Sequence, residues 1–349
     1  MLVFVGAYTE PAQDGHARGI GCAGFDPASG RLGPVALAAA MPNPTWLVAS
    51  PDGRFLYACS ELGEGRVHGF AIGAAGTLTP IGDVPSGGAA PCHATLDPSG
   101  RFLLVANYMS GTVAVLPVGA DGRLQPPCCT VQGSGPPMPA SSAQAPPGNF
   151  GPSDHGGSRM HAVGITPDGA VLACDAGLDR LFTWRLAPDG TLRSGAVGLA
   201  PPGSAPRHFV STADGARHFV LLEQSSAVAA FDHALALLGS ASTLPAEFAG
   251  SNLGAELVMS ADERFLYATN RLHDSIAVLS TRPLALLEEC WTRADYPRGL
   301  ALDPSGGFLL AANQRGDSLT VFALEAGRPR FTGQYVPYGS PVAVVFVDS

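Results

Sequence analysis

One pattern recurs six times along the chain, and it limits the fold more than any other feature. A short apolar run leads into Pro-Asp-Gly or a near variant. A second apolar run follows, and a polar turn ends the unit. The copies read PTWLVASPDGRFLYACSE, PCHATLDPSGRFLLVANY, MHAVGITPDGAVLACDAG, PRHFVSTADGARHFVLLE, GAELVMSADERFLYATNR and PRGLALDPSGGFLLAANQ. Their turns begin at Pro51, Pro98, Pro167, Ala213, Ala261 and Pro304, so the spacings are 47, 69, 46, 48 and 43 residues. Repetition at such a period marks a stack of supersecondary units, each burying its apolar face against the next.

The units read as strands. Their runs are short and rich in Val, Leu, Phe and Tyr, and Asp-Gly or Ser-Gly between two such runs signals a hairpin. A third and a fourth run follow, as in VHGFAIG then TLTPIG, or VAVLPVG then RLQP. Four antiparallel strands every 43 to 48 residues predict an all-β fold, a seven-bladed β-propeller. Six blades come from the repeats. The seventh combines N-terminal strands, LVFVGAYTE and GIGCAGFDPASGRL, with a C-terminal strand, SPVAVVFVDS, so both ends close one blade and remove the open edge of the ring. The expectation is one domain over 1–349. The long spacing holds a Pro/Gly/Ser-rich insertion, about 126–157, read as a loop.

Composition agrees with a buried core. Hydrophobic residues are 46% of the chain and charged residues only 14%, which excludes an ordinary disordered chain. The net charge of −9 argues against nucleic acid and anionic membranes as partners. All 20 basic residues are arginine, which excludes a Schiff-base or phosphate-loop lysine. No apolar run approaches the roughly 18 residues that span a bilayer. Seven scattered cysteines without a Cys-x-x-Cys pair read as reduced thiols of a cytoplasmic protein, and no zinc spacing is present.

Register places the polar residues on one rim. In a propeller the innermost strand of each blade lines the channel and the second runs back beside it. The start of the first and the exit of the second therefore share one end, opposite the Asp-Gly hairpin. The start position holds Thr45, Cys92, His161, Arg207, Ala255 and Arg298. The next position holds Trp46, His93, Ala162, His208, Glu256 and Gly299. The exit position holds Glu61, Tyr108, Gly177, Glu223, Arg271 and Gln314. A solvated strand end explains any one of these polar residues. Several arginines and glutamates converging on a concave mouth suit an anionic, oxygen-rich small molecule, because guanidinium forks bind carboxylate or phosphate. A glutamate among arginines stays ionised and could act as a general base.

Other features carry less. No Gly-x-Ser-x-Gly elbow or His-Glu-x-x-His motif occurs. Asp175 and Asp179 read as a polar blade turn. His16, His68, His218, His233 and His273 fall off the rim in this register.

The chain resembles the lactonase-type seven-bladed propellers, the family of cycloisomerase-type 6-phosphogluconolactonases, related to carboxymuconate-lactonising enzymes. The resemblance runs from VGAYTE to PRGLALDPSGGFLLAANQ, and the PRH, AE and TNRxxDSIAV elements carry it most specifically. It implies a catalytic set of His161, Arg207, Glu223 and Arg271. Rim neighbours His93, Arg159, His208, Glu256, Arg298 and Gln314 are expected to contact the substrate. The family's His-x-His is here Arg159-Met160-His161, a departure that replaces a titratable ring by a fixed charge. The implied reaction is hydrolysis of a sugar-acid lactone, 6-phospho-D-glucono-1,5-lactone to 6-phosphogluconate, with no metal or other cofactor. Arg207 and Arg271 would hold the anion and the ester carbonyl, and Glu223 or His161 would activate water. Two alternatives stand beside it: a lactonase or cycloisomerase of a non-phosphorylated aldarate or muconate-type lactone, and a non-catalytic protein-binding propeller. The oligomeric state is open at this stage, with a monomer compatible with a closed ring.

Overall fold

The computed structural model describes residues 1–151 and 154–348. These form seven antiparallel sheets arranged in a ring. The innermost strands are Pro44–Ala49, Pro91–Leu96, Met160–Ile165, Pro206–Ser211, Gly254–Met259, Pro297–Leu302 and Pro341–Val347. They open blades 1 to 7 in that order, and blade 7 packs back on blade 1. The seventh blade is built as the sequence predicts. Pro341–Val347 pairs with Leu2–Ala7, which pairs with Gly19–Asp26. Its outer strand is split into Arg31–Leu32 and Ala36–Ala40.

The apolar core is distributed between blades. Seven buried clusters occupy the seven blade interfaces among the described residues. One of them joins Phe4 and Ile20 of blade 7 to Leu47, Leu56 and Ala58 of blade 1, so the joint that closes the ring is an apolar cluster like the internal ones. Strands with both faces buried read as continuous apolar runs, which is why FLLVAN and AVLACD lack alternation.

A repeated contact locks neighbouring blades. The Phe that opens the second strand lies under the outer turn of the next blade, where a glycine leaves room. Phe55 lies where a side chain on Gly122 would go, and Phe265 does the same to Gly327. Both glycines have φ of +78°, which a side chain tolerates poorly. Tyr57 and Tyr267 then donate to the carbonyls of these same glycines at 2.9 Å. Gly327→Ala should therefore cost roughly 2 kcal/mol or more, combining strain with overpacking. Gly333, at φ +85° with nothing near its missing side chain, is the control, at about 1 kcal/mol. Urea unfolding midpoints of the two variants test the difference.

Two details depart from the sequence reading. The stretch near 126–157 is not all loop: Cys129–Gln132 is the outer strand of blade 2. RLQP does not fill that place; Leu124 makes one isolated bridge to Val118. Pro126 and Pro127 lack the N–H a ladder needs, so pairing resumes only beyond them. Ser142, Pro147 and Phe150 of the insertion reach across to blade 4 and to the connection that leads into blade 5. Gly250 N donates to Pro147 O at 2.8 Å, Ser225 Oγ to Ser142 Oγ at 2.9 Å and Phe150 N to Ser251 Oγ at 2.9 Å. The second departure is in blade 3. Its hairpin is one residue shorter, with Thr166 N bonded to Ala170 O where Asp97 N reaches Phe102 O in blade 2. The exit position of blade 3 is therefore Ala176, not Gly177.

Candidate active site at the channel mouth

Each blade brings the same two backbone positions to the mouth. The N–H of the exit residue donates to the carbonyl just before the innermost strand. The donors are Tyr8, Glu61, Tyr108, Ala176, Glu223, Arg271 and Gln314, at 2.8 to 3.1 Å. Just inside this ring, every innermost strand carries one residue too many against its neighbour. Pro44 pairs with Ser60 but Trp46 with Cys59, leaving Thr45 extra. The same offset recurs in the other six blades. A bulge bends the strand and re-aims its side chain. Here the bulges turn Thr45, Cys92, His161, Arg207, Arg298 and Val342 onto one small cavity at the mouth. The bulge, which could have scattered the rim residues, is what gathers them.

The charges form two clusters across this mouth. On one side Glu223 is held by two arginines. Arg271 Nη2 donates to Glu223 Oε1 at 2.6 Å, and Arg207 Nε lies 3.6 Å from Oε2. Arg271 also donates to the carbonyls of Leu253 and Gly254, and Arg207 to that of Ala255. Both arginines are nearly sealed, at 3% and 4% exposure, so their direction is fixed by packing. On the other side Arg298 Nη2 donates to Tyr8 Oη at 3.1 Å. Tyr8 donates in turn to Glu61 at 3.0 Å, and Thr45 to Glu61 at 2.7 Å.

Beneath the arginines lies an aromatic and imidazole layer. Trp46 stacks on His93 with centroids 4.0 Å apart, and the His208 ring stands edge-on to both. His161 lies 5.2 Å from His208 and 5.5 Å from Tyr108. His208 Nδ1 is 2.5 Å from Glu256 Oε1, and its Nε2 is 3.3 Å from Arg207 Nη1. A guanidinium can only donate, so Nε2 accepts and Nδ1 carries the proton toward Glu256.

Burial sets the protonation states. It pushes His93, His161 and His208 well below the usual imidazole range, and the Arg207 charge adds to this. All three are neutral at pH 7. Burial drives Glu223 up, but Arg271 and Arg207 outweigh it and hold the carboxyl below its ordinary value. Glu256 goes the other way, raised by burial to about 7. Burial and the neighbouring Arg298 and Arg271 lower Arg207 to about 10, still charged at neutral pH.

Of the ten residues expected at the site, the structure places eight around the mouth: Glu223, His161, Arg207, Arg271, His93, His208, Glu256 and Arg298. Arg159 points elsewhere, pairing with Asp154 at 2.8 Å and with the carbonyls of Ser158 and Met109. It occupies the position before the innermost strand, one step outside the bulge. Gln314 sits at its exit position, where its Nε2 is spent on Gln13 O at 3.2 Å. Tyr8 and Val342 were missed. Tyr8 is the exit residue of blade 7, and carrying the repeat register onto the N-terminal strand would have found it. Asp175 and Asp179 use their oxygens on the N–H groups of Arg159, Gly177, Leu178, Gly203 and Ala205, as a blade turn requires.

The fold and this mouth define a seven-bladed propeller whose mouth sets three arginines among three glutamates, a donor set that can hold an oxygen-rich ligand. Comparison with known proteins gives the family. The chain belongs to the family described as lactonase, 7-bladed beta-propeller, whose model matches residues 2–346. A 6-phosphogluconolactonase from Bacillus subtilis is 31% identical, over 99% of this chain and 97% of that protein. Another from Formosa agariphila is 29% identical, over 92% and 91%. The solved structure of a periplasmic gluconolactonase from Pseudomonas aeruginosa is 33% identical with a TM-score of 0.87, covering 100% and 99%. No helix among the described residues is long and apolar enough to cross a membrane.

Proposed function

We propose that the chain hydrolyses a sugar-acid lactone, 6-phospho-D-glucono-1,5-lactone, to 6-phosphogluconate. The carrying observation is the pair of sealed arginines, Arg207 and Arg271, fixed on Glu223 at the mouth of a lactonase-family propeller. Three guanidinium groups face the mouth against the carboxylates of Glu223, Glu61 and Glu256, so an anion is favoured by guanidinium donors fixed in direction and not by a net positive charge. Arg271 and Arg207 hold the anionic oxygens and the carbonyl oxygen as it gains charge. His161, neutral and in the mouth cavity, hydrogen-bonds the bound lactone. Glu223 is ionised, yet both its oxygens face guanidinium groups, which makes it a weak proton acceptor. Its part is to hold the two arginines. Because the lactone opens slowly by itself in water, positioning and oxyanion stabilisation are enough for useful acceleration.

A second reading concerns the phosphate. The Pseudomonas aeruginosa neighbour is described as a periplasmic gluconolactonase, which favours a substrate without it. Proton release from fresh 6-phosphogluconolactone and from glucono-1,5-lactone, corrected for spontaneous opening, separates the two. The expected result is acceleration of both, with kcat/KM at least about tenfold higher for the phosphorylated lactone, the equivalent of ~1.4 kcal/mol. Equal values would move the assignment to the plain gluconolactone, and no acceleration of either would end the lactonase reading. We place the protein in the cytoplasm, which seven unpaired cysteines support.

A further inference from the structure

We propose that Glu256 is the general base of the reaction, holding the attacking water in the small cavity below the arginines. The inference rests on the lactonase reading and adds a residue to it. Three observations meet at this side chain.

The first is size. The cavity gathered by the bulges has a volume of about 20 Å³. That is room for one water, which needs roughly 10–15 Å³, and far too little for a sugar lactone. The lactone must therefore lie on the outer rim, among Glu223, Arg271 and Tyr108, with this cavity beneath it. A water there would approach the carbonyl carbon from the channel side.

The second is access to a proton acceptor. Glu256 lines the cavity together with Arg207, Arg298 and His161. Its Oε1 accepts from His208 Nδ1 and from Leu257 N at 3.1 Å. Its Oε2 takes no hydrogen bond among the described residues, although the side chain is 9% exposed. Glu223, in contrast, spends both oxygens on arginines.

The third is basicity. The titratable and charged groups around Glu256 are Arg207 and His208 of blade 4, His93 and Cys92 of blade 2, Arg298 of blade 6, His161 of blade 3 and Glu61 of blade 1. Burial outweighs the arginines and raises the carboxyl to about 7. A base is most effective when it titrates near the working pH. A carboxylate locked to two guanidinium groups, or an imidazole pushed well below its usual range, is a poorer acceptor.

The step balances. The water oxygen bonds to the carbonyl carbon as Glu256 Oε2 takes one of its protons. Negative charge gathers on the carbonyl oxygen, facing the arginines. The bond from that carbon to the ring oxygen then breaks. Glu256 returns its proton to the leaving oxygen, which becomes a hydroxyl. The new carboxylic acid loses its own proton to solvent. Glu256 also lines a second cavity of ≈ 250 Å³ on the hairpin side of the channel, which gives it a route to water away from the substrate.

The test compares the pH dependence of kcat/KM for wild type, Glu256→Gln and Glu223→Gln, each corrected for spontaneous opening. Wild type should rise through pH 7. Glu256→Gln should fall about a hundredfold or more, mainly in kcat, and lose that rise. Glu223→Gln should lose activity but keep the rise. A fall of less than tenfold in Glu256→Gln, or an unchanged profile, overturns the proposal while leaving the lactonase reading in place. Wild type with no acceleration over background overturns both. If Glu256→Gln does not fold, Glu256→Asp draws the carboxylate back by one methylene. It should lose at least tenfold in kcat and keep its pH dependence, and an unaltered kcat again overturns the proposal.

Discussion

Arg271→Ala should lower kcat/KM for the lactone by about a thousandfold. The figure follows from removing one preorganised donor from an oxyanion site, which costs roughly 10²–10³. It sits at the upper end because Arg271 also orients the site. Its Nη2 holds Glu223 Oε1 at 2.6 Å, and Glu223 in turn faces Arg207. Without Arg271, Glu223 is free to close on Arg207 and draw that charge away from the substrate. Lysine should not rescue the loss. Arg271 reaches the carbonyls of Leu253 and Gly254 while it holds Glu223, a fork that one ammonium cannot reproduce. Arg271→Lys is expected to recover less than a tenth of the lost rate. Initial rates of proton release for the two variants, with a thermal melt to confirm folding, decide the matter. If Arg271→Ala keeps wild-type kcat/KM, the mouth is not the site.

How far the sequence could reach is clear from two neighbouring positions. The repeat placed His161, Arg207 and Arg298 at one strand position, because Pro-Asp-Gly turns give an unambiguous origin for counting. That count succeeds wherever the hairpin length is constant. It fails in blade 3, where Ala170 follows Gly169 directly and the exit shifts to Ala176. Nothing in the composition announces a shorter hairpin; it emerges only from pairing with Met160–Ile165. Arg159 shows the other limit. It stands two residues from His161, and alternation along a strand would turn both the same way. The bulge at His161 breaks that alternation, and Asp154 takes the guanidinium. The outer strand of blade 2 was hidden for a third reason. Two prolines precede Cys129–Gln132 in a stretch whose composition reads as loop.

The bulges also explain how one fold holds a reactive mouth. The strand interiors are packed between blades, and a charged side chain there would be sealed without partners. A bulge at the last residue before the rim frees one side chain per blade from the ladder without opening the core. Thr45, Cys92 and Val342 stand at the places that hold His161 and Arg298 in other blades, so the position takes small, apolar, imidazole and charged side chains alike. Chemistry is therefore set by which residue the bulge carries, while the backbone bonds of the mouth stay the same in every blade.

Glu223→Gln should cost about 3 kcal/mol of folding stability at pH 7. Breaking a buried ion pair by removing one partner typically costs 3–5 kcal/mol, because the remaining charge stays buried without compensation. Here two guanidinium groups, each at 4% side-chain exposure, lose their shared carboxylate. The low end applies because Glu223 itself keeps 16% exposure. The loss must also depend on pH, with a definite sign. Arg271 and Arg207 hold the Glu223 carboxyl below its ordinary value despite burial. A group with a lowered folded-state pKa contributes stability above its unfolded value and loses it as pH falls through the folded one. Wild type and variant should therefore differ most at pH 6 to 8 and converge in acid. Glu256 titrates in the opposite sense. Its raised value means that stability declines as pH climbs through about 7, in both proteins alike. Their difference removes most of that contribution, and what remains is the coupling of Glu256 to Glu223 through Arg207. Urea unfolding of both proteins between pH 3 and 8 gives the curve. Equal stability at pH 7 would mean that Arg207 and Arg271 are held by the carbonyls of Leu253, Gly254 and Ala255 alone. A gap that widens in acid would mean that the carboxyl is already protonated in the native mouth.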